Sequence, residues 1–268
     1  MSDARIAVTG SGGRMGRMLV AEIHGTPGCV VGGGTEVPNS LNIGKDIGEL
    51  AGLGPLGIKA SGDREAVFAG ADAIIDFTSA TASVEHAQLA AKLKKPLVIG
   101  TTGLDETMAA AVREAAKHAP IVWSANMSLG VNLLLGLVEQ VAGLLGEDYD
   151  IEIVEMHHKH KVDAPSGTAL ALGKAAAAGR AVDLAKCSQR VRDGHTGPRK
   201  AGDIGFATLR GGDVVGDHTV IFAGAGERIE LTHKAASRQI YARGSVRAAL
   251  WAIGKPPGLY GMKEVLGL

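Results

Sequence analysis

Between a short apolar run, Ile6-Ala7-Val8, and a helical pattern from Arg14 to about His24 the chain reads Gly10-Ser11-Gly12-Gly13-Arg14-Met15-Gly16. A glycine-dense turn that joins a strand to a helix marks a nucleotide-binding unit. A Cβ there would block both the tight turn and the approach of backbone N–H groups to a pyrophosphate. The helix start behind the turn favours an anion, and Arg14 can add a phosphate contact. A second strand follows at Cys29-Val30-Val31, and Glu36, placed at its end, can accept hydrogen bonds from an adenosine ribose hydroxyl. The spacing departs from strict G-x-G-x-x-G, because Met15 stands in the third glycine's place and Gly16 follows it. That shift points to a variant reductase rather than an ordinary alcohol or lactate dehydrogenase.

Further strand-like runs, Ala73 to Phe77, Leu97 to Ile99 and Ile121 to Trp123, alternate with helical stretches around Ser83 to Lys94 and Asp105 to His118. Such alternation predicts βαβ units and a parallel sheet covered on both faces. The Gly/Pro-rich stretch from Val37 to Ser61 reads as a long loop with a helical turn. Two later turns, Gly100-Thr101-Thr102-Gly103 and Ser124-Ala125-Asn126-Met127, follow strands, and ligands of open α/β sheets bind outside the carboxyl ends of strands. Both turns are therefore candidates for the nicotinamide half, with ordinary small-residue loops as the alternative.

Beyond these turns the pattern changes. Asp150 to Met156 reads as a strand, Gly167 to Ala178 as a helix, and Phe206 to Arg210, His218 to Ala223 and Arg228 to Lys234 as closely spaced strands. Alternation in the last of these suits a sheet wet on one face. Gln239 to Ile253 is helical again. The predicted fold is α/β, with a Rossmann-like dinucleotide-binding domain over residues 1–125, rejoined by 238–268. An α+β domain with an open mixed sheet, for substrate binding and oligomerisation, takes residues 126–237.

Composition narrows the classes of function. Lys and Arg balance Asp and Glu at 28 each, which argues against a nucleic-acid or membrane-surface partner. The two cysteines, Cys29 and Cys187, support no disulfide framework or zinc spacing. No signal-peptide pattern opens the sequence, and Leu129 to Leu145, interrupted by Asn132, Glu139 and Gln140, reads as a buried helix too short and polar to span a bilayer. The expectation is a cytoplasmic protein.

The densest chemistry lies in Glu155-Met156-His157-His158-Lys159-His160-Lys161-Val162-Asp163-Ala164-Pro165-Ser166-Gly167-Thr168. If the strand period persists, His157, Lys159 and Lys161 share one face, and His158 and His160 the other. Histidines also ligate metals, but neighbouring lysines repel a cation, so no metal is expected. A solvated basic loop is the bland alternative. Against it, Pro165-Ser166-Gly167-Thr168 signals a helix start, and a helix start facing a basic cluster suits carboxylates. A histidine or lysine beside such a site can supply a proton.

With these segments in view, the chain resembles the bacterial dihydrodipicolinate reductase family, also named 4-hydroxy-tetrahydrodipicolinate reductase. The likeness runs from Arg5 to the C-terminus and rests on the Gly10–Gly16 turn, the two later turns and Glu155 through Thr168. Gly205-Phe206-Ala207-Thr208-Leu209-Arg210, Gly216-Asp217-His218-Thr219 and Gly226 to Lys234 also match. The resemblance implies an NAD(P)H-dependent reductase of the diaminopimelate route to lysine. Its C-terminal helix would rejoin the first domain, and its second sheet would build a homotetramer. It implies that His157 is the acid/base group and Lys161 a proton donor, that His158 contacts substrate, and that the Gly167-Thr168 backbone holds a carboxylate of a cyclic dicarboxylate. Family members that use NADPH well often carry Arg directly after the acid at Glu36. Here Val37 and Pro38 follow, so NADH is expected to be preferred, with NADPH admitted and Lys45 the nearest basic residue downstream. Two rival readings are another small-substrate dehydrogenase, which would need a different segment at His157 to Thr168, and a non-enzymatic nucleotide-sensing module, which should lack it.

Overall fold

The computed structural model describes residues 3–268, which fall into two compact units, one of residues 3–129 with 239–267 and one of residues 130–238 with Leu268. In the first unit, strands β1 (Ala4–Thr9), β2 (Cys29–Thr35) and β3 (Ala60–Ser61) alternate with helices α1 (Arg14–Gly25), α2 (Ile47–Ala51) and α3 (Arg64–Ala69). They are followed by β4 (Ala73–Asp76), α4 (Ala80–Leu93), β5 (Leu97–Ile99), α5 (Glu106–Ala115) and β6 (Pro120–Trp123). The long loop after β2 is tied down by Asp46, whose carboxylate accepts from the amides of Gly48, Glu49, Leu56 and Gly57.

The sheet is buried on both faces, and the strand sequences show why. Ile6, Val8, Ala73, Ile75, Val98 and Val122 point to one core, while Ala7, Ile74, Leu97, Ile99 and Ile121 point to the other. Apolar residues at both parities are what a doubly covered parallel sheet requires.

In the second unit, helix α6 (Leu129–Leu145) leads through a 3-10 turn (Gly146–Asp148) to β7 (Asp150–His157) and α7 (Gly167–Gly179). Then come α8 (Leu184–Cys187), β8 (Ser188–Gln189), β9 (Ile204–Arg210), β10 (Gly216–Gly224) and β11 (Glu227–Ala235). The sheet order is β11-β10-β7-β9-β8, with β7, β8 and β9 parallel and the β10 pairings antiparallel, hence a mixed sheet. Helices α6 and α7 cover one face through Leu134, Val138, Ala142, Leu172 and Ala176, whereas β11 is largely exposed.

The chain closes in the first unit with α9 (Gln239–Ala252), β12 (Gly258–Tyr260) and α10 (Met262–Leu266). Ala242, Val246 and Ala249 of α9 join the core shared with Ile6 and Val8. The first unit's all-parallel order is β12-β6-β5-β4-β1-β2-β3, so the strand order reverses beside β1, where doubly wound sheets bind ligands.

Two local expectations are corrected. The strand period stops at His157, because the chain then turns away. The His158 amide donates to the Val214 carbonyl, and the Lys161 amide donates to the His158 carbonyl. The α6 segment, with its 3-10 turn, reaches Asp148 and by length and composition alone passes as a membrane span. It is also only half a buried helix, since Leu133, Leu137 and Leu144 remain exposed opposite the face that packs on the second sheet.

Candidate functional site

The glycine turn sits at the carboxyl end of β1. Gly10 adopts φ +62°, a left-handed conformation costly for other residues. A Cβ on Gly16 would stand 2.1 Å from the Gly10 carbonyl oxygen, so Gly16 takes the close-packing role that Met15 vacates. Helices α2, α3, α4, α5, α7 and α8 are capped by side chains, those of Asp46, Asp63, Ser79, Asp105, Ser166 and Asp183. Helix α1 begins instead at Gly13, which has no side chain to offer, and no acidic residue lies in its first turn. Its terminal amides are therefore left for another anion.

Beside them the buried Ser11 hydroxyl has no hydrogen-bond partner among the described residues. A cradle of this kind fits a dinucleotide's pyrophosphate. Arg14 is exposed at the helix start, while Arg17 braces the turn by donating to the Gly12 carbonyl at 2.8 Å. The Glu36 carboxylate accepts from the Gly12 amide and from the Ser40 hydroxyl, each at 2.7 Å, which binds acid and turn into one structure.

A cavity of about 510 Å³ opens at the ends of β1, β2 and β4, within the size range of small-molecule sites. Gly10, Glu36, Val37, Thr78, Ser79 and Arg64 are among its lining residues; Lys45 is not. Under its floor Asp76 is fully buried and accepts from Thr9, Thr78 and Ser83. Burial pushes its carboxyl up, but His86, Ser83 and Thr78 outweigh that and hold it below the ordinary carboxylate range.

The other expected contacts lie at the ends of neighbouring strands. Gly100, Thr101 and Thr102 follow β5, with the Thr101 hydroxyl buried and unpartnered among the described residues. Ser124, Ala125 and Asn126 follow β6, and the Ser124 hydroxyl donates to the Asn126 carbonyl. The Met127 side chain belongs to the core, so only its backbone is left to meet a ligand.

The second unit gathers a different chemistry. Along β7, Ile151, Ile153, Glu155 and His157 share the buried face, so an apolar stripe ends in a carboxylate and an imidazole. Register sets their neighbours: Arg210 lies opposite His157 on β9, and His218 opposite Glu155 on β10. Glu155, 1% exposed, accepts from both terminal nitrogens of Arg210 and from the Ser166 amide. Its Oε2 meets His157 Nδ1 at 2.5 Å.

Burial raises the Glu155 carboxyl's pKa, yet Arg210, His157 and the Ser166 amide together hold it below the ordinary range, so it is ionised. An ionised carboxylate only accepts, which places a proton on His157 Nδ1 and leaves Nε2 to exchange one. The Ser166 hydroxyl caps α7 through the Ala169 amide and contacts His218 Nε2 at 2.9 Å. Burial first, and His157 second, push the His218 pKa down to about 4.

Lys161 donates to both oxygens of Asp163 at 2.8 and 2.9 Å. Gly167 and Thr168 open α7, and the space around the Gly167 Cα is clear. His158 instead lines a separate open cavity with Lys159, His160, Gly212 and Asp213. Among the described residues no group of three or more His, Cys, Asp or Glu side chains is arranged to hold a metal.

Sequence reasoning gave no role to Glu155, Arg210, His218, Asp163 or Arg64. A signal existed for two of them, because Glu155 continues the Ile151-Ile153 period and His218 the period of Val220 and Phe222. Nothing local pointed to Arg210 or Arg64.

Residues 4–127 match the family Dihydrodipicolinate reductase, N-terminus, and residues 130–266 match Dihydrodipicolinate reductase, C-terminus. The chain is 59% identical over 268 residues to the 4-hydroxy-tetrahydrodipicolinate reductase of Rhodopseudomonas palustris (strain BisB18), spanning 100% of this chain and 99% of that one. It is also 59% identical over 267 residues to 4-hydroxy-tetrahydrodipicolinate reductase 1 of Mesorhizobium japonicum, spanning 99% and 98%. Among solved structures it is similar to a dipicolinate-bound dihydrodipicolinate reductase from Paenisporosarcina sp. TG-14. That likeness has a TM-score of 0.79 at 21% identity over 98% and 100% of the two chains, and speaks for the fold.

Proposed function

The chain belongs to the dihydrodipicolinate reductase family, and from that premise we infer how its residues divide the reaction. The activity is the NAD(P)H-dependent reduction of 4-hydroxy-tetrahydrodipicolinate to tetrahydrodipicolinate, on the diaminopimelate route to lysine. When bound, the reduced nicotinamide supplies the hydride. Loss of the substrate's hydroxyl as water leaves a conjugated imine, and one proton balances the hydride that the imine gains.

Gly10, Ser11, Gly12, Gly13, Arg14, Met15 and Gly16 hold the dinucleotide's pyrophosphate, and Glu36 accepts from the adenosine ribose. Gly100, Thr101, Thr102, Ser124, Ala125, Asn126 and Met127 line the nicotinamide half. NADH is preferred, because the residue after Glu36 is Val37 and offers a 2′-phosphate no partner.

The substrate is a small cyclic dicarboxylate, in keeping with the dipicolinate bound to the Paenisporosarcina protein. The amides of Gly167 and Thr168 take one carboxylate, and His158 contacts the substrate. His157 serves as acid/base group and Lys161, released from Asp163, as proton donor. The Glu155–His157 contact carries this reading, because it gives His157 a defined donor face and an exchangeable Nε2, and Glu155 also holds the first residue before α7.

We further propose a cytoplasmic homotetramer built on the exposed side of the second sheet, without nucleic-acid, membrane or metal partners. Light scattering that reports a monomer at micromolar concentration would overturn the assembly. The direct test of the site is competition. Pyridine-2,6-dicarboxylate should inhibit the oxidation of NADH by freshly made 4-hydroxy-tetrahydrodipicolinate far better than pyridine-2-carboxylate. Equal inhibition would count against a two-carboxylate site.

A further inference from the structure

The cavity at the ends of β1, β2 and β4 holds a charge arrangement that the residue after Glu36 does not account for. Two carboxylates line it, Glu36 from the end of β2 and Glu85 from α4. Among its described lining residues Arg64, the first residue of α3, is the only one with a permanent positive charge. Arg64 Nη1 donates to Glu85 Oε2 at 2.6 Å, and both side chains stay substantially exposed, 42% and 52%. Exposed pairs of this kind are weak and readily exchanged. A guanidinium matches a phosphate better than it matches one carboxylate oxygen, since it can offer two parallel N–H donors.

We propose that Arg64 is the residue that receives the 2′-phosphate when the phosphorylated dinucleotide binds, and that Glu85, by holding Arg64, limits how well that cofactor is accepted. This rests on the assignment of the cavity to the adenosine half of the dinucleotide. A 2′-phosphate at the ribose would stand beside the Glu36 carboxylate, and Val37 cannot compensate it. Arg64 can, once Glu85 lets go. The pair acts as a competition: Glu85 and the phosphate bid for one guanidinium, and the unphosphorylated cofactor asks for neither. The same arrangement would let a chain without a cation after Glu36 accept NADPH.

Calorimetric titration of the full-length protein with 5′-AMP and with adenosine 2′,5′-bisphosphate tests this without turnover. Arg64→Gln should lower the affinity for the bisphosphate, relative to 5′-AMP, by roughly tenfold, the scale of one charge-assisted contact. Glu85→Gln should raise the same ratio by several-fold, and the rise should shrink as salt is added. The kcat/KM ratio of NADPH to NADH should move in the same two directions. An affinity ratio that is equal in the parent and both variants overturns the role of Arg64. Failure of 5′-AMP itself to bind the parent protein would instead remove the adenosine assignment, and the proposal with it.

Discussion

His157 and Glu155 stand two residues apart on the buried face of β7, with ring Nδ1 and carboxylate Oε2 2.5 Å apart. The carboxylate is ionised and fully engaged, so the ring's tautomer is determined by a buried neighbour on the same strand. Glu155 thus fixes the orientation of the His157 ring. Glu155→Gln should lower kcat by about 10- to 100-fold and displace the pH profile of kcat, because an amide can donate to Nδ1 and reverse the tautomer. A parental kcat and pH profile in that variant would remove Glu155 from the reaction.

His157→Ala and Lys161→Ala should each lower kcat by roughly 100-fold or more, the scale of a positioned proton donor. Dinucleotide binding, followed by fluorescence titration, should persist, since both residues belong to the second unit and the glycine turn to the first. Parental turnover in both variants would show that the proton comes from elsewhere.

Stability should fall on acidification in a window that His218 sets. Its folded pKa is about 4 against an ordinary value of 6.5. Between those values the unfolded chain binds a proton that the folded one refuses. The resulting loss grows as pH falls from the ordinary value to the folded one, towards about 3 kcal/mol. The depressed carboxyl of Glu155 acts lower: its contribution holds above the ordinary carboxylate pKa and is lost as pH falls through its folded value. Urea midpoints of His218→Gln should therefore vary less than the parent's from about pH 7 to about pH 4.5. Parallel curves would mean that His218 is not the titrating group.

Two glycines of α1 should respond in opposite ways. Gly16→Ala places a Cβ 2.1 Å from the Gly10 carbonyl oxygen and should cost about 1–3 kcal/mol, with weakened dinucleotide binding. Gly25→Ala, at the open end of the same helix, should leave stability within about 1 kcal/mol of the parent or raise it. Thermal unfolding of the pair decides the matter, and a tolerated Gly16→Ala would mean the turn is not packed as described.

Val37→Arg should shift cofactor preference towards NADPH by about 1–2 kcal/mol in the ratio of kcat/KM values at low salt. The parent should favour NADH. A clear NADPH advantage in the parent would sink the preference, and an unchanged ratio in the variant would show that position 37 does not face the phosphate.

The features legible in residue spacing are local. The Gly10–Gly16 turn, the uncapped start of α1, the Ser166 cap of α7 and the two-sided apolar strands of the first sheet follow from residue spacing. Spacing alone decides which face a side chain takes and whether a helix end has a partner. The long runs were legible for that reason, whereas the short α3, α8, β8 and β12 carry too few residues to show a period. Which side chains stand beside one another follows from packing in three dimensions. Arg210 reaches Glu155 across 55 positions of sequence, and His218 faces it because β10 pairs with β7 in one register among many. Arg64 meets Glu85 because α3 and α4 flank one cavity. Strand order and register come from burying whole faces together, so the partners of His157 are set by the packing of the sheet and cannot be read from its neighbours along the chain.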